Sequence, residues 1–140
     1  MDMHRDVLRL AELNRSGSCC AVALVELALE LKGEKNELLV KAASALCGGI
    51  RNGMVCGALT GAACALEILA PEDTERIIVS ELAAWFEKRS REDYGGPECR
   101  RIREARELEG EDGCASLVEA VWIEARNLLV KYGFDAREWD

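Results

Sequence analysis

Apolar residues recur three and four positions apart along most of this 140-residue chain, a spacing that places them on one face of an α-helix. Nowhere does an alternation of apolar and polar residues continue for the length of a strand. Prolines number only two, and alanine, leucine, glutamate and arginine are abundant. The sequence therefore predicts an all-α protein, a single-domain helical bundle of about six to seven helices.

Turns that contain glycine or other cap residues divide this pattern into seven helical segments. The predicted helices span residues 2–14, 18–32, 36–46, 54–69, 71 or 72 to about 91, 98–108 and 114–132, and a tail follows at 134–140. Segment 54–69 is the least charged and has the smallest side chains, with Gly57 and Gly61 four residues apart so that a neighbouring backbone can approach. We expect this helix at the centre of one domain that spans residues 1–140.

The charge of the chain excludes some classes of partner. Its net charge is −8 and its isoelectric point is near 4.8, whereas a nucleic-acid-binding protein needs a basic face. One basic cluster is present, but glutamates interleave it, which is typical of a solvated helix face. The cluster consists of Arg100, Arg101, Arg103 and Arg106, with Glu104, Glu107 and Glu109 between and after them. We therefore expect no nucleic-acid partner.

No segment resembles a targeting or membrane signal. The first six residues are mostly charged or polar, and the longest uncharged stretch, 52–66, is shorter than the roughly 20 residues needed to span a bilayer. Seven cysteines without a secretory signal indicate a reducing compartment, where thiols are buried, metal-bound or redox-active. We expect a cytoplasmic protein with no membrane partner; a homo-oligomer is left open.

Four of the seven cysteines open predicted helices. Cys20, Cys56, Cys99 and Cys114 each follow serine, glycine or proline residues and precede an apolar repeat. A thiol in the first turn faces unpaired backbone N–H groups and the positive end of the helix dipole, which favours the thiolate. These four cysteines are therefore the candidate site residues.

Helical periodicity indicates where these four side chains point. Cys20 and Cys114 share faces with leucine and valine and should point into the core, and Cys99 should lie near its edge. Cys56 lies on a small, partly polar face that suits the lining of a cleft. We therefore expect the four to cluster in space, although they are far apart in the sequence.

The remaining three cysteines are weaker candidates for site residues. Cys19 shares a helical face with Glu26 and Glu30, so we expect an exposed, incidental thiol. Cys64 lies mid-helix among alanines, where cysteine usually serves as a small hydrophobe. Cys47 lies nine residues before Cys56, across a glycine-rich loop that could bring the two thiols within reach of each other. Both an accessory redox role and a packing role stay open for Cys47.

Residues 47–62 carry a family resemblance. They read Cys-Gly-Gly-Ile-Arg-Asn-Gly-Met-Val-Cys-Gly-Ala-Leu-Thr-Gly-Ala, and Cys20-Ala21, Cys99-Arg100 and Cys114 complete the pattern. This order resembles the bacterial redox-active family named for its C…GCAxxG…C…C cysteines; the name transposes two letters, since members of the family read Cys-Gly-Ala-x-x-Gly, as this chain does at Cys56-Gly57-Ala58. The resemblance covers roughly 18–132 and implies a redox role that is itself inferred from cysteines. Cys47 replaces the first of three glycines in the family pattern.

Three functions fit these residues. In the first, two or more of the four candidate cysteines cycle between dithiol and disulfide with a partner protein or small molecule; since no C-x-x-C is present, the fold must bring the pair together. In the second, the four thiolates Cys20, Cys56, Cys99 and Cys114 bind one zinc ion or iron–sulfur cluster for electron transfer or sensing. The third is a structural or partner-binding bundle. His4 is the only histidine, so a Cys–His pair has little support.

Cys56 is the predicted primary reactive thiol. It lies in the family motif, after the 48–53 loop that can admit a substrate. Arg51 is close enough in sequence to add a positive charge, and the N–H groups of residues 57–59 should stabilise the thiolate.

Overall fold

The computed structural model describes residues 3–70, 74–108 and 115–134, which form an all-α bundle. In those ranges the helices are α1 (Met3–Arg15), α2 (Cys20–Lys32), α3 (Glu37–Ala43), α4 (Gly57–Leu69), α5 (Glu75–Tyr94), α6 (Cys99–Leu108) and α7 (Ala115–Lys131). A single turn of 3₁₀ helix, Ser44–Leu46, follows α3. The all-α prediction is confirmed, whereas Cys114 and the predicted tail beyond Phe134 lie outside the described residues.

Helix α4 occupies the centre, as its small side chains predicted. It packs against α2, α5 and α7, and one continuous core forms around it. Its buried face consists mainly of Ala58, Ala62, Ala65, Leu66 and Leu69. The helix begins at Gly57 rather than at residue 54, because Met54 and Cys56 form backbone hydrogen bonds with Cys99 and Pro97 instead of a helical turn.

The backbones of α2 and α4 approach each other closely at one glycine. A Cβ atom on Gly61 would lie 2.6 Å from the Cα of Ala21 and 3.0 Å from its carbonyl oxygen. Contacts this short cannot be relieved by side-chain rotation, because the atoms belong to backbone. The absence of a side chain at Gly61 therefore sets how near the first turn of α2 lies to α4.

A buried polar cluster joins the first and last helices. Asp6 on α1 is 2% exposed, and it accepts hydrogen bonds from Trp122 Nε1 at 3.0 Å and from Arg126 Nη1 at 2.9 Å. Burial raises the pKa of the Asp6 carboxyl, while the Trp122 hydrogen bond and the Arg126 charge oppose that rise. The cluster ties α1 to α7 across the core.

Within the described ranges, no helix combines the length and the apolar composition needed to cross a bilayer.

Replacing Gly61 with alanine tests the close approach of α2 and α4. Alanine in a helix interior usually stabilises by roughly 1 kcal/mol relative to glycine. Here we expect Gly61→Ala to lower the free energy of unfolding by about 1–2 kcal/mol, because overpacking against the Ala21 backbone costs more than the helix gains. Urea denaturation of both proteins measures the difference. A stabilised variant would show that the two backbones do not meet there.

The Asp6 cluster gives a second stability prediction. Asp6→Ala removes the buried carboxylate to which Trp122 Nε1 and Arg126 Nη1 donate, so we expect a loss of about 3–5 kcal/mol in unfolding free energy. Asp93→Ala is the matched control, because Asp93 pairs with Arg89 at 3.5 Å in an exposed position worth about 1 kcal/mol or less. Equal losses in the two variants would contradict a structural role for the buried pair.

Candidate functional site

A short antiparallel bridge brings two candidate cysteines together. The Cys99 N–H donates to the Met54 carbonyl at 2.6 Å, and the Cys56 N–H donates to the Pro97 carbonyl at 3.1 Å, on either side of the Val55–Glu98 pair. Cys56 is thus opposite Pro97 and diagonal to Cys99. In a regular ladder such diagonal neighbours share a face with Cα atoms about 7–8 Å apart. Residues 43 positions apart in sequence thereby become neighbours.

The chain reaches this bridge through a left-handed turn. Gly48, Gly49, Ile50 and Arg51 have consecutive φ values of 65°, 68°, 55° and 55°. Glycine tolerates this region, but Ile50 and Arg51 pay a cost of about 1–3 kcal/mol each. The Met54 N–H closes the turn on the Gly49 carbonyl at 3.0 Å.

Gly49 permits this turn to contact α6. A Cβ at Gly49 would lie 2.5 Å from the Met54 nitrogen and 2.9 Å from Cys99 Cβ. A side chain at this position would push the turn away from the start of α6. The glycine-rich loop predicted at 48–53 therefore forms the left-handed turn, which packs directly against Cys99.

Three of the four candidate cysteines line one cavity of about 520 Å³, here called the cysteine cavity. Cys20 is the first residue of α2, Cys56 immediately precedes α4, and Cys99 is the first residue of α6, so the starts of three helices meet there. Cys20 is half-buried, whereas Cys56 and Cys99 are 3% and 6% exposed. Cys114 lies outside the described residues; Ala115, which follows it, also lines the cavity.

A disulfide joins Cys19 to Cys47, with Cα atoms 5.9 Å apart and 28 residues of separation. The expectation that Cys19 is an exposed, incidental thiol is therefore wrong. Cys19 is the N-cap of α2 with extended backbone, so the helical periodicity that grouped it with Glu26 and Glu30 does not apply to it. Cys47 reaches Cys19 rather than Cys56, and Cys19 itself lines the cysteine cavity.

Cys64 lies apart from this cavity. It packs, with Cys19 and Cys47, against a small hydrophobic cluster formed by Val22, Val25, Leu29 and Ala43. Burial raises the pKa of the Cys64 thiol, and the nearby Glu67 carboxylate raises it further. This environment fits the packing role predicted for Cys64.

A second cavity, of about 650 Å³, adjoins the first and is here called the arginine cavity. Its lining includes Cys47 and Cys99 together with Arg51, Arg100 and Arg103. Cys99 and Arg103 line both cavities. The predicted charge of Arg51 therefore lies beside Cys47 and Cys99; Cys56 is not part of this lining.

The basic cluster on α6 is only partly a solvated face. Arg101 is exposed and pairs with Glu98 at 3.6 Å, as that interpretation requires. Arg106, in contrast, is 6% exposed and lines the cysteine cavity, where it donates to Tyr94 Oη at 3.3 Å and Ser116 Oγ at 2.7 Å. The solvated-face interpretation is wrong for Arg106, because its side chain is buried and reaches Tyr94 on α5 and Ser116 on α7.

The surroundings of Cys56 differ from the expected ones in one further respect. The N–H of Leu59 donates to the Cys56 carbonyl at 3.1 Å, so that group is occupied in closing the first turn of α4. Cys56 is also too buried for easy attack on a large substrate. Its assignment as the primary reactive thiol stays a prediction, with access as its main obstacle.

The metal alternative depends on several ligands converging. Among the described residues, no group of three histidine, cysteine, aspartate or glutamate side chains is arranged to hold a metal ion. Cys20, Cys56 and Cys99 share a cavity without forming such a group. Cys114, the fourth predicted ligand, lies outside the described residues, so the metal alternative stays a prediction.

Residues 18–128 match the family described as putative redox-active protein (C_GCAxxG_C_C). The chain belongs to this family. Neither the curated proteins nor the solved structures yielded a match. Cys20, Cys56 and Cys99 fit the family's cysteine pattern and meet in the cysteine cavity, while Cys19 and Cys47 form a disulfide at its edge.

Sequence reasoning missed the Cys19–Cys47 pair and the inward position of Arg106. A signal against a helical Cys19 was available, because a helix cannot begin before its cap and Cys19 directly precedes the predicted first-turn residue Cys20, but this signal does not indicate Cys47 as its partner. No comparable signal was available for Arg106, since its burial depends on how α6 is oriented between α5 and α7.

Competition labelling tests the reactivity of the cavity thiols. Cys20 and Cys64 are both half-buried, but Cys20 is at the start of a helix, whereas burial and Glu67 raise the pKa of Cys64. We expect iodoacetamide to label Cys20 several-fold faster near pH 7, and the difference to shrink as rising pH ionises Cys64. Peptide mapping after a short pulse measures both rates. Faster labelling of Cys64 would show that the helix start confers no activation.

Proposed function

We propose that this protein carries out thiol–disulfide exchange between an inner dithiol, Cys56 and Cys99, and the Cys19–Cys47 disulfide. The observation that carries this proposal is the position of Cys99. Cys99 lines the cysteine cavity with Cys19 and the arginine cavity with Cys47, so it adjoins both ends of the disulfide.

The exchange proceeds in two displacements. The Cys99 thiolate attacks Cys47 Sγ; the Cys19–Cys47 bond breaks, and its electron pair leaves on Cys19 as a thiolate. The Cys56 thiolate then attacks Cys99 Sγ and releases the Cys47 thiolate. Two electrons thus pass from the inner dithiol to the outer pair, and the two protons of the inner thiols are taken up by Cys19 and Cys47.

The local charges support this direction of attack. Cys99 begins α6, where the helix dipole favours a thiolate, and the Arg103 guanidinium lies one turn along the same helix in both cavities. Cys56 lies diagonally across the bridge from Cys99, an arrangement that in a regular ladder places Cα atoms about 7–8 Å apart, beyond the roughly 7 Å reach of a disulfide, so a backbone shift has to close the inner pair.

The two other family cysteines have supporting roles in this proposal. Cys20 lines the same cavity next to Cys19, so its thiolate is a second nucleophile able to attack Cys19 Sγ, which forms a Cys19–Cys20 disulfide and releases the Cys47 thiolate. Cys114 stays a redox candidate on the family pattern alone. The electron donor or acceptor outside the protein is a thiol or disulfide.

Disulfide mapping during anaerobic incubation tests the exchange. Protein oxidised to one disulfide per chain is incubated without added thiol, quenched with acid at intervals, alkylated and mapped by mass spectrometry. We expect a Cys56–Cys99 peptide to appear as the Cys19–Cys47 peptide decreases, until their ratio is constant. Cys99→Ser should abolish this peptide, because serine cannot attack the disulfide.

Cys64→Ser is the matched control. It removes a thiol that lines neither cavity, and it should exchange like the unaltered protein. If the unaltered protein forms no Cys56–Cys99 peptide, or if Cys99→Ser still forms disulfides other than Cys19–Cys47 at the same rate, the proposed exchange is wrong.

A further inference from the structure

We propose that the arginine cavity binds small thiols and disulfides that carry carboxylates, and presents their sulfur to Cys47. This inference rests on the proposed thiol–disulfide exchange and names the class of its external substrate. Cys47 forms the disulfide with Cys19 and lines this cavity, so a bound sulfur compound would meet the disulfide from the Cys47 side.

Three arginines line the cavity. In the described part of the chain, Arg51, Arg100 and Arg103 have neither an ion pair nor a hydrogen bond from their side chains. Their neighbour Arg101, which does not line the cavity, is paired with Glu98. Guanidinium groups bind carboxylates through two parallel hydrogen bonds, and all five donors of each of the three are available.

The fold holds one of these arginines in a costly conformation. Arg51 has a φ of 55° inside the left-handed turn, a region that non-glycine residues rarely adopt. Gly53, at the end of the same turn, leaves room for Arg100, since a Cβ there would lie 3.1 Å from Arg100 Cβ. Backbone strain of this kind is found preferentially where it positions a functional group.

The cavity's charge is opposite to that of the chain. Glu104 and Glu107 also line it, so its ionic side chains are three positive and two negative. The whole chain, in contrast, has a net charge of −8. An anion that approaches this protein is therefore repelled by most of the surface and attracted at the arginine cavity. The volume of about 650 Å³ lies in the range of small-molecule sites.

The chemistry at Cys47 balances without a further reactant. A thiolate RS⁻ attacks Cys47 Sγ, forms a mixed disulfide and releases the Cys19 thiolate. A second RS⁻ attacks the sulfur of the bound R group, which yields RSSR and the Cys47 thiolate. Two molecules of thiol are oxidised, the Cys19–Cys47 disulfide is reduced, and the two thiol protons end on Cys19 and Cys47. The reverse sequence reduces a bound disulfide.

Three thiols of similar size and different charge test the preference. The probes are 3-mercaptopropionate, 2-mercaptoethanol and cysteamine. For each probe, the rate constant for reduction of the Cys19–Cys47 disulfide is calculated per thiolate. It is then divided by the rate constant with which the same thiolate reduces the disulfide of a short unstructured peptide. We expect the normalised rate to fall from the carboxylate to the neutral thiol to the amine. The carboxylate advantage should be about threefold to tenfold at low salt and should shrink with added salt.

The double variant Arg100→Gln, Arg103→Gln should remove most of the carboxylate advantage, while Arg101→Gln, with the same charge change per site on the same helix, should keep it. All three arginines are exposed on α6, so we expect both variants to fold, and circular dichroism checks this. An equal advantage in the double variant and in Arg101→Gln would overturn the proposed site.

Suberate separates this inference from the proposed exchange. It has the carboxylates of 3,3′-dithiodipropionate with two methylenes in place of the two sulfurs, so it binds without redox chemistry. We expect calorimetry to detect binding that weakens in the double variant and not in Arg101→Gln. Absent or variant-independent suberate binding overturns the anion site even where exchange occurs. Site-dependent suberate binding with a disulfide inert to all three thiols supports the anion site and overturns the exchange.

Discussion

The close contact between the α2 and α4 backbones at Ala21 and Gly61 is the constraint on which the site depends. Cys20 precedes Ala21 in α2, and Gly57, one turn before Gly61, follows Cys56, so the same contact that packs the two helices also brings both cysteines to one cavity. A side chain at Gly61 would separate the helix starts by pushing on backbone, which cannot rotate away. The same backbone contact therefore determines both how the core packs and how far apart Cys20 and Cys56 lie.

A second local structure adds Cys99 to this pair. The left-handed turn at residues 48–51 and the bridge at Val55–Glu98 hold the start of α6 against the segment before α4. The strain at Ile50 and Arg51 is borne by the rest of the bundle, because the buried core provides far more stabilisation than two unfavourable backbone conformations remove. The result is a residue, Cys99, at the junction of a cavity rich in cysteine and a cavity rich in arginine.

Local patterns in the sequence predicted the helices and the helix-start cysteines, since period and cap chemistry depend on neighbouring residues. They could not predict contacts made by residues outside helices. Cys19 looked exposed because it was placed in a helix that begins one residue later, and Cys47 was related to the nearby Cys56 rather than to Cys19, 28 residues away. The alternating charges of α6 predict a solvated face for a similar reason, since only the hydrogen bonds of Arg106 to Tyr94 on α5 and Ser116 on α7 show that this side chain points inward.

The central claim is that a Cys19–Cys47 disulfide borders a cavity of family cysteines. The most direct measurement is to reduce the protein fully, expose it anaerobically to buffers of increasing thiol–disulfide potential, and map by mass spectrometry the first disulfide that forms. Cys19–Cys47 is expected to form first, because these two residues have Cα atoms 5.9 Å apart in the folded bundle. A different first pair, or no intramolecular disulfide across the whole series, would contradict it.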